Sequence, residues 1–171
     1  DIIKDRLYCD GTTSLSRRSA QTAIFKILSA ITRLLAPVLS FTTYEIWGAM
    51  PHSKDENAEH VMFNDMPAYD PEMHFTEEEA AYWEKCIALR TDVNKALELA
   101  RAEKKVGKPL DAKLTLFVAD SAKETFAQIK DVNFNQLCIV SETDVAEGEG
   151  EGYKGEQFAG LTVKVEPSTA P

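Results

Sequence analysis

Lys4, Arg6, Tyr8, Arg17 and Arg18 gather near the start of the chain, and Arg90, Asn94, Arg101, Lys104, Lys105 and Lys108 recur along a later stretch. Guanidinium and ammonium groups at this density bind phosphate, and an aromatic ring among them can stack on an unpaired base. On a helix, Arg90, Asn94, Arg101 and Lys105 fall along one stripe, with Leu97 among them, continuing the line of Trp83 and Ile87. A face that turns from apolar to cationic marks an element leaving the core to meet an anion. Internal pairing competes with that reading, because Glu98 lies one helical turn before Arg101 and Glu103 is close by. Lys4, Arg6, Arg17 and Arg18 flank the turn CDGTTS, which brings basic side chains and a helix N-terminus together; both attract phosphate. For Tyr8, packing against neighbouring helices competes with stacking on a base.

No other residues assemble a reaction centre. His52, His60 and His74 fall in or beside an acidic connection without ligand-like spacing, and read as exposed loop residues rather than metal ligands. Cys9, Cys86 and Cys138 form no C-x-x-C pair; they read as reduced, buried, small apolar groups. The stretch EGEGEGYKGE at 147–156 has glycines but neither an apolar strand leading in nor a helix leading out, as a phosphate loop requires. Glu77, Glu78 and Glu79 read as helix-start charges rather than paired catalytic carboxylates.

The net charge of −9 argues against a general nucleic-acid binder, but its distribution is uneven. Residues 1–50 carry six basic and four acidic groups, and residues 90–113 carry seven and four, whereas residues 51–85 hold two basic and ten acidic groups. A basic patch on an acidic chain binds one RNA while repelling others. With 44% hydrophobic residues the chain has the material for a core, and no apolar run reaches the roughly 20 residues that cross a bilayer. The first residues, without Met or a signal-peptide core, read as if cut from a longer chain.

The elements that must hold these side chains follow from periodicity. Ser14 is placed to cap a first helix in which Ile24, Ile27, Leu28, Ile31, Leu34 and Leu35 form a core stripe, with Arg17 at its open end; Pro37 stops it near Ala36. Thr42 and Glu45 have capping-box spacing, with Phe41 and Ile46 as the staple of a short second helix that ends at Pro51 and buries Ile46, Trp47 and Met50. Residues 51–75 read as a long connection packed down by Val61, Met62, Phe63, Met66 and Tyr69, with one extended piece at Val61–Phe63. Thr76 and Glu79 open the longest helix, whose apolar face is Trp83, Ile87, Val93, Leu97 and Ala100 and which Gly107 and Pro109 end. The period then changes. Leu110, Ala112, Leu114, Leu116 and Val118 alternate as a strand; Ser121 and Glu124 open a short helix bearing Phe126 and Ile129; residues 137–140 read as a buried strand; Leu161, Val163 and Val165 alternate as the last. The acidic stretch at 147–156 reads as a mobile loop or hairpin tip. The fold class expected is mainly α: a helical bundle over 1–108 followed by a small α/β subdomain over 109–171.

The segments IKDRLYCDG, SRRSAQTAIFKIL, LAPVLSFTTYEIW and VNKALELARAEKKVGKPLDAKLTL resemble bacterial-type class I isoleucyl-tRNA synthetase, in that family's order, over residues 1–118. The LAP-x-x-x-F-x-x-x-E-x-W pattern is shared with valyl and leucyl relatives; IKDRLYC with RRSAQT and the stretch around Lys104–Lys105 point to the isoleucyl enzyme. The resemblance implies a C-terminal anticodon-binding region, with tRNA(Ile) and the rest of a cytoplasmic parent synthetase as partners. It implies a parent that activates isoleucine with ATP and Mg and esterifies it to tRNA. Such ATP and Mg, and any Zn, would belong to segments absent here, so the chain itself is expected to be inactive and free of cofactor or metal. Two alternatives stay open: a scaffold segment without RNA contact, and the equivalent region of the valyl enzyme.

Overall fold

The computed structural model describes residues 2–169. Its elements are α1 (Lys4–Tyr8), α2 (Leu15–Leu35), α3 (Ser40–Ala49), α4 (Glu77–Ala102), β1 (Ala112–Val118), α5 (Lys123–Ala127), α6 (Phe134–Cys138), β2 (Glu142–Glu147), β3 (Tyr153–Lys154) and β4 (Leu161–Pro167), with single 3-10 turns between several of them. The chain is mainly helical with an α/β portion. It forms two compact units, one over 3–74 and one from Phe75 onward with Ile2. The division suggested by sequence, at 108, separates helices from strands; the compact units divide at 74/75 because α4 shares its core with the sheet.

In the first unit Ser14 caps α2 as its sequence position required, its hydroxyl accepting from the Arg17 N–H at 3.1 Å. The small residues Ser29, Thr32 and Ala36 are buried, beside a core of Ala36, Trp47, Met50 and Val61. The Trp47 indole donates to the Asn57 carbonyl at 2.9 Å, and the Arg33 guanidinium lies 5.3 Å from its ring while pairing with Glu56. The stripe expected inside, Ile24, Ile27, Leu28, Ile31, Leu34 and Leu35, is instead exposed. Periodicity found the stripe, but the inner side of α2 carries short side chains, of which Ala36 packs in one cluster with Trp47. α3 begins at Ser40 with Leu39 at its cap, so Thr42 and Glu45 lie inside the helix and form no capping box. Val61–Phe63 is a 3-10 turn rather than an extended piece, capped by the His60 imidazole, and of the five apolar residues expected to pack the connection down only Val61 is buried. His52 is not a free loop histidine either: its Nε2 lies 2.9 Å from the Trp47 carbonyl.

In the second unit Thr76 and Glu79 make the expected capping box. Cys86, Leu89, Val93, Ala96, Leu97 and Ala100 form the buried face of α4, whereas Trp83 and Ile87, expected in it, are 40% and 60% exposed. α4 ends earlier than Gly107 would suggest, because Lys104 itself turns left-handed at φ 59°. The four-stranded sheet has the order β2-β1-β4-β3; β1 runs parallel to β2 and antiparallel to β4, with Leu116 opposite Val145 and Val163. Ala112, Leu114, Leu116 and Val118 point into the core with the α4 face, Phe126, Ile129, Leu137 and Val163. α5 and α6 lie in the crossover that a parallel β1–β2 pair requires. Leu137, Cys138 and Val140 are buried as expected, with Ile139 half-buried, but the segment ends α6 instead of forming a strand: Asn133 caps the helix and Ile139 closes it at φ 59°. β2, rich in acidic residues, carried no apolar alternation to find.

Candidate nucleic-acid interface

α1 presents Lys4, Arg6 and Tyr8 to solvent, and Tyr8 is 79% exposed rather than packed away. The turn after it is pinned from both sides. The Arg17 guanidinium donates to the Asp10 carbonyl at 3.1 Å, and the Ser14 hydroxyl reaches the Asp10 carboxylate at 3.5 Å. Arg17 is thereby held half-buried at the start of α2 while Arg18 stays exposed. α2 has no acidic residue in its first turn. Its other two cations are neutralised, Lys26 by Asp70 at 3.1 Å and Arg33 by Glu56. Among the described residues no carboxylate pairs with Arg6, Arg17 or Arg18. Arginines without an ion pair thus stand near a helix amino terminus, whose partial positive charge adds to theirs, with the Asp10 carboxylate beside them.

The second set of cations lies on α4 and the turn after it. Arg90 is half-buried and its Nε donates to the Leu137 carbonyl at 2.9 Å, which ties α4 to α6. Asn94 lines a polar recess with Thr91, Lys95, Tyr153 and Gln157. Arg101, Lys104 and Lys108 are exposed, and their side chains form no ion pair among the described residues, although the Lys108 backbone N–H donates to the Asp111 carboxylate at 2.9 Å; Lys105 pairs with Glu103 at 2.6 Å. The turn that presents them is regular: the Lys105 N–H reaches the Ala100 carbonyl at 2.9 Å and the Lys104 N–H reaches Arg101 at 3.0 Å, a Schellman closure. Cations here also oppose the negative end of the helix.

The remaining titratable groups are structural. Cys9 is exposed, contrary to the reading of all three cysteines as buried, whereas Cys86 and Cys138 are buried. Burial pushes the Cys138 thiol up to about 12, against the opposing pull of Arg90. Burial likewise raises Cys86, which is hydrogen-bonded to Tyr82. Lys113 is raised by its hydrogen bond to Asp144, and Lys123 by Glu147 and Asp120. Among the described residues no three His, Cys, Asp or Glu side chains gather as a metal site, and no helix is long and apolar enough to cross a membrane.

Sequence reading missed one residue of consequence, Asp92, which is 1% exposed on the inner face of α4. The signal was present: an acid between Leu89, Val93 and Ala96 on a face otherwise apolar.

Comparison with known proteins supplies the family. The model for the anticodon-binding domain of tRNA ligase matches residues 1–116. The chain is 42% identical to the isoleucine–tRNA ligase of Syntrophotalea carbinolica over 97% of its own length, and 45% identical to that of Kosmotoga olearia over 91%. It is 39% identical to that of Caldicellulosiruptor saccharolyticus over 97%. It spans 17–18% of the length of these relatives. Matched by that model over most of its residues, this mainly helical chain belongs to the anticodon-binding domain family of tRNA ligases.

Proposed function

We propose that this chain grips the anticodon arm of tRNA(Ile) as part of an isoleucine–tRNA ligase, a cytoplasmic enzyme that couples ATP-dependent activation of isoleucine to esterification of the tRNA. The observation that carries the reading is the α1–α2 start, where Arg6, Arg17 and Arg18 stand without carboxylate partners among the described residues in a chain of net charge −9. Arg101, Lys104 and Lys108 supply further phosphate contacts; Arg90 acts as a strut for α6, and Tyr8 is free to stack on a base. In this reading the chain binds rather than reacts, and the ATP, Mg and any Zn that the ligase uses are held by its other segments.

Binding of isoleucine tRNA measured across salt concentrations tests this. Affinity falls with salt, and the double variant Arg17→Ala with Arg18→Ala lowers the log–log slope by about 0.9 per lost phosphate contact. An affinity indifferent to salt and to both arginines overturns the reading.

A second reading has its own observation. Six large aliphatic side chains of α2, from Ile24 to Leu35, lie exposed in one stripe. A stripe of that size suits a scaffold that docks the remainder of a ligase without touching RNA. Unchanged tRNA affinity on deleting this region from the ligase, together with loss of the folded ligase, favours the scaffold.

A further inference from the structure

Asp92 is the most fully buried charged side chain of the second unit, and no ion pair reaches it among the described residues. Its partners are all backbone. Oδ1 accepts from the N–H groups of Glu156 at 3.0 Å and Gln157 at 3.1 Å; Oδ2 accepts from Gln157 at 3.1 Å and Phe158 at 2.7 Å. Three consecutive amides converging on one anion form the concavity that elsewhere binds phosphate. Here the anion is built in, from a residue more than sixty positions earlier in the chain.

The loop is shaped for this one guest. A Cβ at Gly155 would lie 2.6 Å from Asp92 Oδ2 and 2.9 Å from the Phe158 carbonyl, so only glycine lets the backbone close over the carboxylate. The loop is also tied to itself, Gly155 N–H to Leu161 at 2.8 Å and Leu161 N–H to Phe158 at 3.2 Å, and anchored by the buried Phe158 ring, edge-on to Phe126. What it holds is the acidic stretch 147–156, which sequence alone made mobile. Tyr153, in the middle of that stretch, walls two recesses: the polar one with Asn94 and Lys95, and a groove of about 810 Å³ with Leu99, Lys105, Lys154 and Val165.

We propose that Asp92 is a latch: a positioning residue whose carboxylate takes the place of a bound anion in the 156–158 amide concavity and fixes the 155–158 turn on α4, so that the polar recess walled by Glu156 and Gln157 exists only while the latch is closed. Burying a carboxylate is costly, and here the cost is offset by three backbone N–H groups that a hydrophobic residue would leave unsatisfied. The charge is explained by what it positions. Opening the latch leaves the β1–β4 core and the β3–β4 pairing standing and frees the 155–158 turn alone. The proposal does not depend on RNA binding.

Amide hydrogen exchange of the full chain tests it, with Asp92→Asn, which keeps the shape and removes the charge, and Gly155→Ala, which keeps the carboxylate and forces the loop off it. In both, protection at Glu156, Gln157 and Phe158 falls about tenfold or more, the loss expected when hydrogen bonds to a charged acceptor go, while Leu114 and Leu116 amides in β1 hold. The Tyr153 phenol, raised first by burial and then by Glu156 and Asp92, titrates nearer its ordinary value in both variants. Should Asp92→Asn fail to fold, Gly155→Ala decides. Protection unchanged at the three amides, or lost in step with β1, overturns the latch and leaves Asp92 as ordinary core.

Discussion

Lys104 occupies a left-handed position, φ 59°, that a residue with a Cβ adopts at a cost of roughly 1 kcal/mol. Lys104→Gly should therefore raise stability by about 0.5–1 kcal/mol in urea unfolding while removing a cation, so stability and tRNA affinity move in opposite directions. The cysteines separate just as sharply. A thiol-alkylating reagent at pH 8 should modify Cys9 in the folded chain and spare Cys86 and Cys138, with mass spectrometry counting one adduct until denaturant is added. Alkali acts on the same buried groups. Their folded-state values are raised above the unfolded ones, so the stability they contribute is complete below pH about 8.5 and drains as pH rises toward 12. Cys138→Ala should flatten that alkaline loss, at the cost of a small cavity. At this scale the sequence was readable where one side chain acts locally, as Ser14 and Thr76 do in capping. It was opaque where the partner was distant: nothing near Asp92 announced that residues 156–158 would surround it.

Among the elements, α2 and α4 carry the argument. The cap of α2 both starts the helix and sets Arg17 and Arg18 at its rim. Ser14→Ala should cost about 1 kcal/mol and weaken tRNA binding more than a remote substitution of equal cost, as thermal melts paired with binding isotherms would reveal. Helix existence was legible for both, and so were β1 and β4, whose alternation of Leu114, Leu116, Leu161 and Val163 is unmistakable. Which side of a helix faces inward was not. Ile24 through Leu35 make the stronger stripe, yet Ser29, Thr32 and Ala36 are inside, Ala36 in the cluster of Trp47, Met50 and Val61. Trp83 and Ile87 miscarried for a similar reason: Leu89, Val93 and Ala96 meet the sheet, and a sheet facing one side of α4 fixes its rotation. β2 and α6 escaped detection because backbone pairing to β1 and the Asn133 cap, not apolar pattern, define them.

For the whole molecule, the two units have unequal cores. The unit holding the sheet buries Leu89, Leu114, Leu116, Ile129 and Leu161 completely, whereas the unit of α1–α3 has four buried apolar residues, Ala36, Trp47, Met50 and Val61. Calorimetry should resolve two transitions. Leu116→Ala should lower the upper one by the equivalent of about 2–5 kcal/mol, and Trp47→Ala should abolish the lower one and leave the upper in place. A single transition moved by both substitutions would contradict independent cores. The division also places the candidate cations in two bodies, Arg6, Arg17 and Arg18 in one and Arg101, Lys104 and Lys108 in the other. Variants in the two sets should accordingly be additive in their effect on tRNA affinity.

The strand order β2-β1-β4-β3 has a bearing on how the chain is made. β1 is central, yet both its neighbours are translated later: Leu116 waits first for Val145 and then for Val163. As the polypeptide leaves the ribosome, LTLFV emerges with two bare edges and no mate, the kind of segment that aggregates or recruits a chaperone. Stalling synthesis after β1 has cleared the ribosome but before β4 has emerged should therefore yield nascent chains that chaperones hold, and release should come only once β4 is out.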